Sequence, residues 1–81
     1  MALLNRIGNV KAVWVMLLPH VAAPSDMWLA KWCANFSDET IENAIARSAY
    51  KFAGVVNDPE KVHRYTSATL RNSTLTRVGA A

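Results

Sequence analysis

The chain's 81 residues make one small domain, since a chain of this size buries only about two-thirds of the surface that it exposes when unfolded. Its single cysteine excludes an intrachain disulfide and a cysteine-rich zinc site. The net charge of +3 is unevenly placed: residues 1–24 carry +2, residues 25–46 carry −3 and residues 47–81 carry +4. The basic C-terminal half can meet a polyanion, although an ordinary solvated surface has the same composition.

The N-terminal segment, residues 1–24, predicts a helix near residues 3–18. Its apolar residues recur at spacings of four and three, which is typical of a helix that packs on a partner helix. They are Leu3, Ile7, Val10, Trp14 and Leu17. A break at Gly8 and Asn9 is one alternative. A buried strand over residues 13–17 is another, because β-branched and aromatic side chains cluster there.

The same segment has some features of a signal peptide, namely early basic residues, an apolar run over residues 12–18 and a small-residue triplet that ends at Ala23. Pro24 would follow the cleavage point. Pro19 interrupts the run far short of the roughly 20 apolar residues of a membrane span. We therefore interpret the segment as a helix of the folded domain, with no membrane as partner.

The first helix carries more large apolar residues than three short partner helices can cover. Three tryptophans and a hydrophobic fraction of 52% are also high for so short a chain. The sequence therefore predicts that a second copy of the chain completes the core, as a homo-oligomer. The residues predicted to lie in this interface are Leu3, Leu4, Ile7, Trp14, Leu17 and Leu18.

Residues 26–36 predict a second helix, with Ser25 as its N-cap. Trp28 and Trp32 lie one turn apart on it, and aromatic rings stack bases in proteins that bind single strands. Leucine, cysteine and phenylalanine side chains share their face. The hydrophobic core is therefore the favoured interpretation of both tryptophans.

Residues 38–53 predict the third helix. Ser37 is a suitable N-cap, and Phe36 and Ile41 occupy the positions of a hydrophobic staple. Gly54 is placed to adopt the left-handed conformation that ends a helix, with Val55 folding back onto the last turn. The predicted apolar face consists of Ile41, Ala44, Ile45, Ser48, Ala49 and Phe52.

Residues 59–72 predict the fourth helix, since Asp58 is a good N-cap and Pro59 suits the first helical position. A connection over residues 55–57 is short enough to make the third and fourth helices neighbours. The last residues, 73–81, lack periodicity and are predicted to form a tail. The predicted core side consists of Val62, Tyr65, Thr66, Thr69 and Leu70.

No pattern in the sequence is typical of a catalytic or cofactor site. Cys33 lies on an apolar face, where a thiol is a small core residue rather than a nucleophile. A lone unbridged thiol fits a reducing cytoplasm. His20 and His63 lie in different elements, and neither has ligand-type residues at metal spacing beside it. The sequence predicts a non-enzymatic protein with no metal, no cofactor and no small-molecule substrate.

A basic stripe on the fourth helix is the candidate binding surface. Lys61, Arg64 and Arg71 fall within about 80° of one another around the helix axis. Arg47 and Lys51 face outward on the preceding helix. Cations interleaved with hydroxyl and amide side chains suit phosphate oxygens. The alternative is an ordinary solvated helix face, part of which a glutamate neutralises at i,i+4.

Three motifs follow one another over roughly residues 25–72. They are Trp28-x3-Trp32, then Phe36-Ser-x-Glu39-x-Ile41-x2-Ala44-Ile45, then Tyr65-x3-Thr69-Leu70-x-Asn72. This order resembles the C-terminal helical domain of DnaD-type and phage replication proteins, which has a tryptophan-bearing helix, an E-x-I-x-x-A-I helix and a final Y-x-x-x-I-L helix. The chain departs from that pattern at Thr69, where the family has isoleucine, and at Ser73, where it has an aromatic residue.

The resemblance implies that the domain binds single- and double-stranded DNA and takes part in primosome assembly and helicase loading. It also places Lys61, Tyr65 and Arg71 on or near the binding helix. Residues 1–24 have no recognisable counterpart in the family, and no winged-helix domain precedes the module.

These patterns together predict an all-α domain of four helices, with an N-terminal helical segment (1–24), a three-helix module (25–72) and a tail (73–81). The predicted function is a small DNA-associated module in the cytoplasm, an accessory factor of replication or of a phage or other mobile element. The alternative is a homo-oligomeric protein–protein interaction module that does not contact nucleic acid. The predicted nucleic-acid contacts are Arg47, Lys51, Lys61, Arg64, Tyr65 and Arg71.

Overall fold

The computed structural model describes the backbone of residues 2–80 and the side chains of residues 4–73. Its elements are α1 (Ala2–Leu17), α2 (Asp26–Asn35), α3 (Asp38–Lys51) and α4 (Pro59–Ala80). The described backbone contains no strand. The all-α class with four helices is therefore confirmed, the strand alternative for residues 13–17 is wrong, and α1 passes through Gly8 and Asn9 without a break.

The helices pack around one apolar core. The third helix packs on α4, α1 and α2, and α1 also packs on α2. Every helix contributes residues that are at most 8% exposed. These buried hydrophobic residues are Ile7, Val10, Trp14, Leu18, Val21, Leu29, Trp32, Cys33, Ile41, Ala44, Ile45, Val62 and Leu70.

Half of the predicted oligomer interface lies inside this core. Ile7, Trp14 and Leu18 are buried, because α2 and α3 cover the face of α1 that carries them. Leu4 and Leu17 are exposed. The side chain of Leu3 lies outside the described residues. A spacing of four and three identifies a helix face that needs a partner, but it does not distinguish a partner within the chain from a second copy.

The predicted N-caps of α2, α3 and α4 are confirmed. Ser25 Oγ accepts from the Trp28 amide at 3.4 Å, and Ser37 Oγ accepts from the Thr40 amide at 3.2 Å. The Asp58 carboxylate accepts from the amide of the second helical residue of α4 at 3.1 Å. Each cap satisfies a backbone donor that the first turn of its helix leaves without an intrahelical partner.

The predicted end of α3 is wrong. The helix ends at Lys51, and Phe52 caps it with φ −111° and ψ 47°. No described glycine has a positive φ, so Gly54 is not in the left-handed conformation. Val55 is 93% exposed, and Val56 packs against the core in its place.

A distant side chain contacts the end of α3. Nε2 of His20 donates to the Phe52 carbonyl at 2.8 Å, and the Phe52 amide donates to the Ser48 carbonyl at 2.8 Å. The carbonyl at the helix end therefore has a partner 32 residues away in sequence.

The predicted tail over residues 73–81 is also wrong, since α4 continues to Ala80. These residues contain no proline, and adding turns to an existing helix is far easier than starting one. A segment that continues an existing helix satisfies its backbone hydrogen bonds within that helix, whether or not its sequence shows apolar periodicity.

Candidate nucleic-acid interface

A cluster of four rings joins α1, α2 and α4. Trp32 lies between the other two tryptophans, with ring centroids 6.3 Å from Trp14 and 6.4 Å from Trp28. His63 contacts Trp14 at 5.4 Å and Trp28 at 5.7 Å, both edge to face. Nε2 of His63 donates to the Ala22 carbonyl at 2.7 Å, which holds this ring in place. The cluster thereby fixes α4 relative to α2.

The indole N–H groups of the three tryptophans are used differently. Trp14 donates to the Val21 carbonyl at 3.0 Å and Trp32 donates to Ser67 Oγ at 3.0 Å. These two residues are buried, which for Trp32 is what the core interpretation predicts. Trp28 is half-buried, and its N–H has no partner among the described residues. Because no buried side-chain nitrogen or oxygen lacks a partner, that N–H is open to solvent.

Trp28 lines a groove between α2 and α4, which we call the α2–α4 groove. Its volume is about 420 Å³. The lining combines aromatic rings, cations and neutral polar groups, with no carboxylate. The lining residues are Trp28, Lys31, Trp32, Asn35, Phe36, Arg64, Ser67 and Arg71.

The cations of the α2–α4 groove are largely available to a ligand. Lys31 and Arg71 make no ion pair with any described carboxylate. Arg64 lies 3.5 Å from Glu60, and both side chains are more than two-thirds exposed, so this i,i+4 pair is weak. The Asn35 amide donates to the Lys31 carbonyl of its own helix at 2.8 Å. The groove therefore presents hydrogen-bond donors of positive charge beside an aromatic ring.

A second surface lies on the other side of α4, in a groove of about 690 Å³ that we call the α3–α4 groove. Tyr50 stands at its edge and is 90% exposed. The Lys51 ammonium lies 5.8 Å from the centroid of the Tyr65 ring, which Phe52 contacts edge to face at 5.3 Å. The lining residues are Ala46, Arg47, Tyr50, Lys51 and Tyr65.

The structure divides the predicted contact residues between these two grooves. Arg64 and Arg71 line the α2–α4 groove, and Arg47, Lys51 and Tyr65 line the α3–α4 groove. Lys61 lines neither of them. The predicted contact residues on α3 and those on α4 thus do not form one surface, apart from Tyr65, which lines the α3–α4 groove.

Sequence reasoning missed Trp28, Lys31, Asn35, Ser67 and Tyr50 as groove residues. A signal was present for part of this set, because positions 28, 31 and 35 share one face of a helix at spacings of three and four. The position of Ser67 depends on how α4 crosses α2, and no spacing along either helix contains that information.

Ion pairing within the chain leaves these surfaces positive. Arg6 pairs with Asp38 at 2.7 Å and Lys11 pairs with Asp26 at 2.7 Å. Arg6 also donates to two carbonyls at the end of α2, so its guanidinium is fully engaged. The cations of α1 therefore neutralise acidic residues at the starts of α2 and α3. The described cations that pair with no described carboxylate are Lys31, Arg47, Lys51, Lys61 and Arg71.

Neither groove is lined by a described Cys, His, Asp or Glu side chain. Burial raises the pKa of the Cys33 thiol above its ordinary value, which keeps it protonated and unreactive at neutral pH. Among the described residues, no three His, Cys, Asp or Glu side chains come close enough together to hold a metal ion. No described helix is long and apolar enough to cross a membrane.

Comparison of the chain with protein-family models, with curated proteins and with solved structures finds no match. The resemblance to DnaD-type domains therefore stays a prediction from the sequence motifs. Any function has to be argued from the two grooves and the charges around them.

Proposed function

We propose that this chain is a small, non-enzymatic helical module that binds DNA through its phosphates. The supporting observation is the α2–α4 groove, where Lys31, Arg64 and Arg71 lie beside an accessible indole and no described carboxylate lines the groove. Cations of this kind attract phosphate oxygens and displace the counterions condensed around them. An apolar small molecule would leave these donors unused.

The surface extends beyond one groove. Arg47 and Lys51 on the far side of α4 also lack a carboxylate partner among the described side chains. A strand that crosses the outer face of α4 meets cations on both sides of the helix. Contacts of this kind position the nucleic acid without reading its sequence, so we expect affinity with little sequence preference.

The biological setting follows from the motif resemblance alone. A module of this type fits an accessory factor of DNA replication or of a phage or other mobile element. A cytoplasmic location is favoured by Cys33, a buried thiol without a disulfide partner.

Salt dependence tests the proposal. With three to five phosphate contacts, the log–log slope of duplex affinity against salt should be roughly −3 to −5 per protomer between about 50 and 200 mM salt. Replacing Lys31, Arg64 and Arg71 simultaneously by Gln should make this slope shallower by about two to three units, since each lost phosphate contact removes about 0.9 from the slope. Fluorescence anisotropy with labelled oligonucleotides measures both values.

Lys11→Gln is the matched control, because it also removes a cation but lies on α1, away from both grooves. Its slope should equal that of the parent protein. If neither single- nor double-stranded DNA binds at the low-salt end, the proposal is wrong.

A second candidate function is a homo-oligomeric interaction module, and the outer face of α1 supports it. Leu4 and Met16 on that face are 67% and 70% exposed, and Val15 and Leu17 are exposed as well. Between them, a Cβ added at Gly8 would meet no heavy atom within 4 Å. A second copy of the chain could cover this exposed face, because the buried face of α1 already packs against other helices of its own chain.

A further inference from the structure

Trp28 differs from the other two tryptophans in being both fixed and accessible. Trp32 and His63 contact its ring edge to face, at 71° and 62° between ring planes. Both neighbours are themselves held by hydrogen bonds, to Ser67 and to the Ala22 carbonyl. A ligand that contacts the indole therefore meets a ring that is already ordered, so little conformational entropy is lost on binding.

The α2–α4 groove combines this ring with an unopposed positive charge. Its volume of about 420 Å³ lies within the range of sites that bind small organic groups. Its lining combines the Trp28 ring with the Lys31 ammonium and the Arg71 guanidinium, and this combination suits a flat ring linked to an anion. We propose that the groove takes one unpaired nucleotide of a single strand, with its base on Trp28 and its phosphate on Lys31 and Arg71.

This inference rests on the proposed function, because it names the form of nucleic acid that the same groove binds. A base within a duplex is paired and stacked, and it reaches a side groove only if it is flipped out at an energetic cost. An unpaired base stacks on an aromatic side chain without that cost. Phosphate contacts alone do not create this difference, since both forms present phosphates to the cations. We therefore expect the protein to prefer single strands over duplexes.

The decisive experiment changes the ligand and leaves the protein intact. The probes are a labelled oligothymidylate of about ten nucleotides and the same strand without its bases. Removing the bases should lower the affinity of the parent protein about ten- to a hundredfold, which is the range for loss of one stacked base. Trp28→Ala should lower the affinity for the intact strand by a similar factor. For the Trp28→Ala variant, removing the bases from the strand should lower the affinity little further.

Two further variants separate stacking from folding. Trp28→Phe keeps an aromatic face and should retain most of the affinity. Met27→Ala removes an exposed apolar side chain of α2 that lines neither groove, and it should change affinity less than twofold. Should Trp28→Ala unfold, as far-ultraviolet circular dichroism would show, the base-free strand and Trp28→Phe still decide the question, since neither removes the ring from the cluster.

The outcomes distinguish this inference from the proposed function. Equal affinity for the intact and base-free strands overturns the inference, while a steep salt slope for both still supports phosphate binding. Absence of binding to any strand overturns both. If free thymidine monophosphate binds as tightly as the strand, the groove takes soluble nucleotides and the single-strand assignment is wrong.

Discussion

The helices α1 and α3 lie against each other and have similar lengths, but they distribute their apolar residues differently. In α3 the buried residues Ile41 and Ile45 occupy one face, and the opposite face is charged. In α1 the buried Trp14 has apolar neighbours on the exposed side too, among them Val15 and Met16. The third helix thus has one face for packing, and α1 has two.

The difference shows how far an apolar pattern constrains the packing. A helix with a single apolar stripe buries that stripe, so the face that α3 buries follows directly from its sequence. A helix with two apolar sides buries one of them and leaves the other for a further partner. The face of α1 that packs in the monomer is decided by α2 and α3, through contacts that the residues of α1 alone do not reveal.

The two faces of α1 should respond very differently to substitution. Trp14 is fully buried, contacts two other rings and donates to the Val21 carbonyl. Trp14→Ala should therefore lower the free energy of unfolding by about 3–5 kcal/mol, through lost burial and the cavity that remains. Chemical denaturation monitored by circular dichroism measures the change.

Val15→Asp is the matched test on the exposed face. Its stability should stay within about 0.5 kcal/mol of the parent, because the new carboxylate remains in water. Sedimentation equilibrium adds the second readout: if α1 joins two copies, this charge should weaken their association at least tenfold. A parent protein that is monomeric at micromolar concentration would rule out the interaction module. Equal stability losses for the two variants would show that the faces are assigned wrongly.

The contact between α3 and α4 contains a buried pair of hydroxyl groups. Ser48 Oγ lies 2.6 Å from Thr66 Oγ1 and 3.1 Å from the Ala44 carbonyl, and Thr66 Oγ1 lies 2.8 Å from the Val62 carbonyl. The two hydroxyl groups have one proton each to donate, so only two of the three contacts are hydrogen bonds at any moment. Either hydroxyl alone can still donate to the carbonyl of its own helix.

This arrangement predicts that removing either hydroxyl group lowers the stability only slightly, and that the two losses are not additive. Ser48→Ala and Thr66→Val should each cost about 0.5–1.5 kcal/mol, because neither change leaves a buried donor without an acceptor. The double variant should cost less than the two losses added together, since each single change already breaks the contact between the helices. A double-mutant cycle from urea denaturation provides the comparison. Strict additivity would mean that the two hydroxyls do not interact.

Features that depend on neighbouring residues in sequence were predictable, and those that depend on crossing helices were not. The caps at Ser25, Ser37 and Asp58 need only a side-chain oxygen and an amide two or three residues later, and all three were predicted. The end of α3 was predicted wrongly, and the contact of His20 with the Phe52 carbonyl there, across 32 residues of sequence, was not predicted at all. Local chemistry can be read from spacing, whereas tertiary partners cannot.

The candidate site follows the same division. Arg64 and Arg71 were predicted to lie together because they share one face of a single helix, and both line the α2–α4 groove. The contribution of α2 was missed, since Trp28 and Lys31 join the site only through the packing of α2 against α4. The exposure of Trp28 depends on the same packing, so its sequence neighbours indicated only the core.

The smallest expected effect concerns the connection between α3 and α4, where the sequence and the structure predict opposite signs. A glycine that ends a helix in the left-handed conformation resists any side chain, so the sequence pattern predicts that a substitution at Gly54 destabilises the fold. In the structure Gly54 has no positive φ, and a Cβ added there would meet no heavy atom within 4 Å. Gly54→Ala should therefore stabilise the protein by about 0.4–1 kcal/mol, because alanine restricts the unfolded chain more than glycine does.

Ser37→Ala is the counterpart at the other end of α3 and should cost about 1 kcal/mol through the lost cap. Thermal unfolding of both variants would show a raised midpoint for the first and a lowered one for the second. A lowered midpoint for Gly54→Ala would mean that the chain turns there in the left-handed conformation after all.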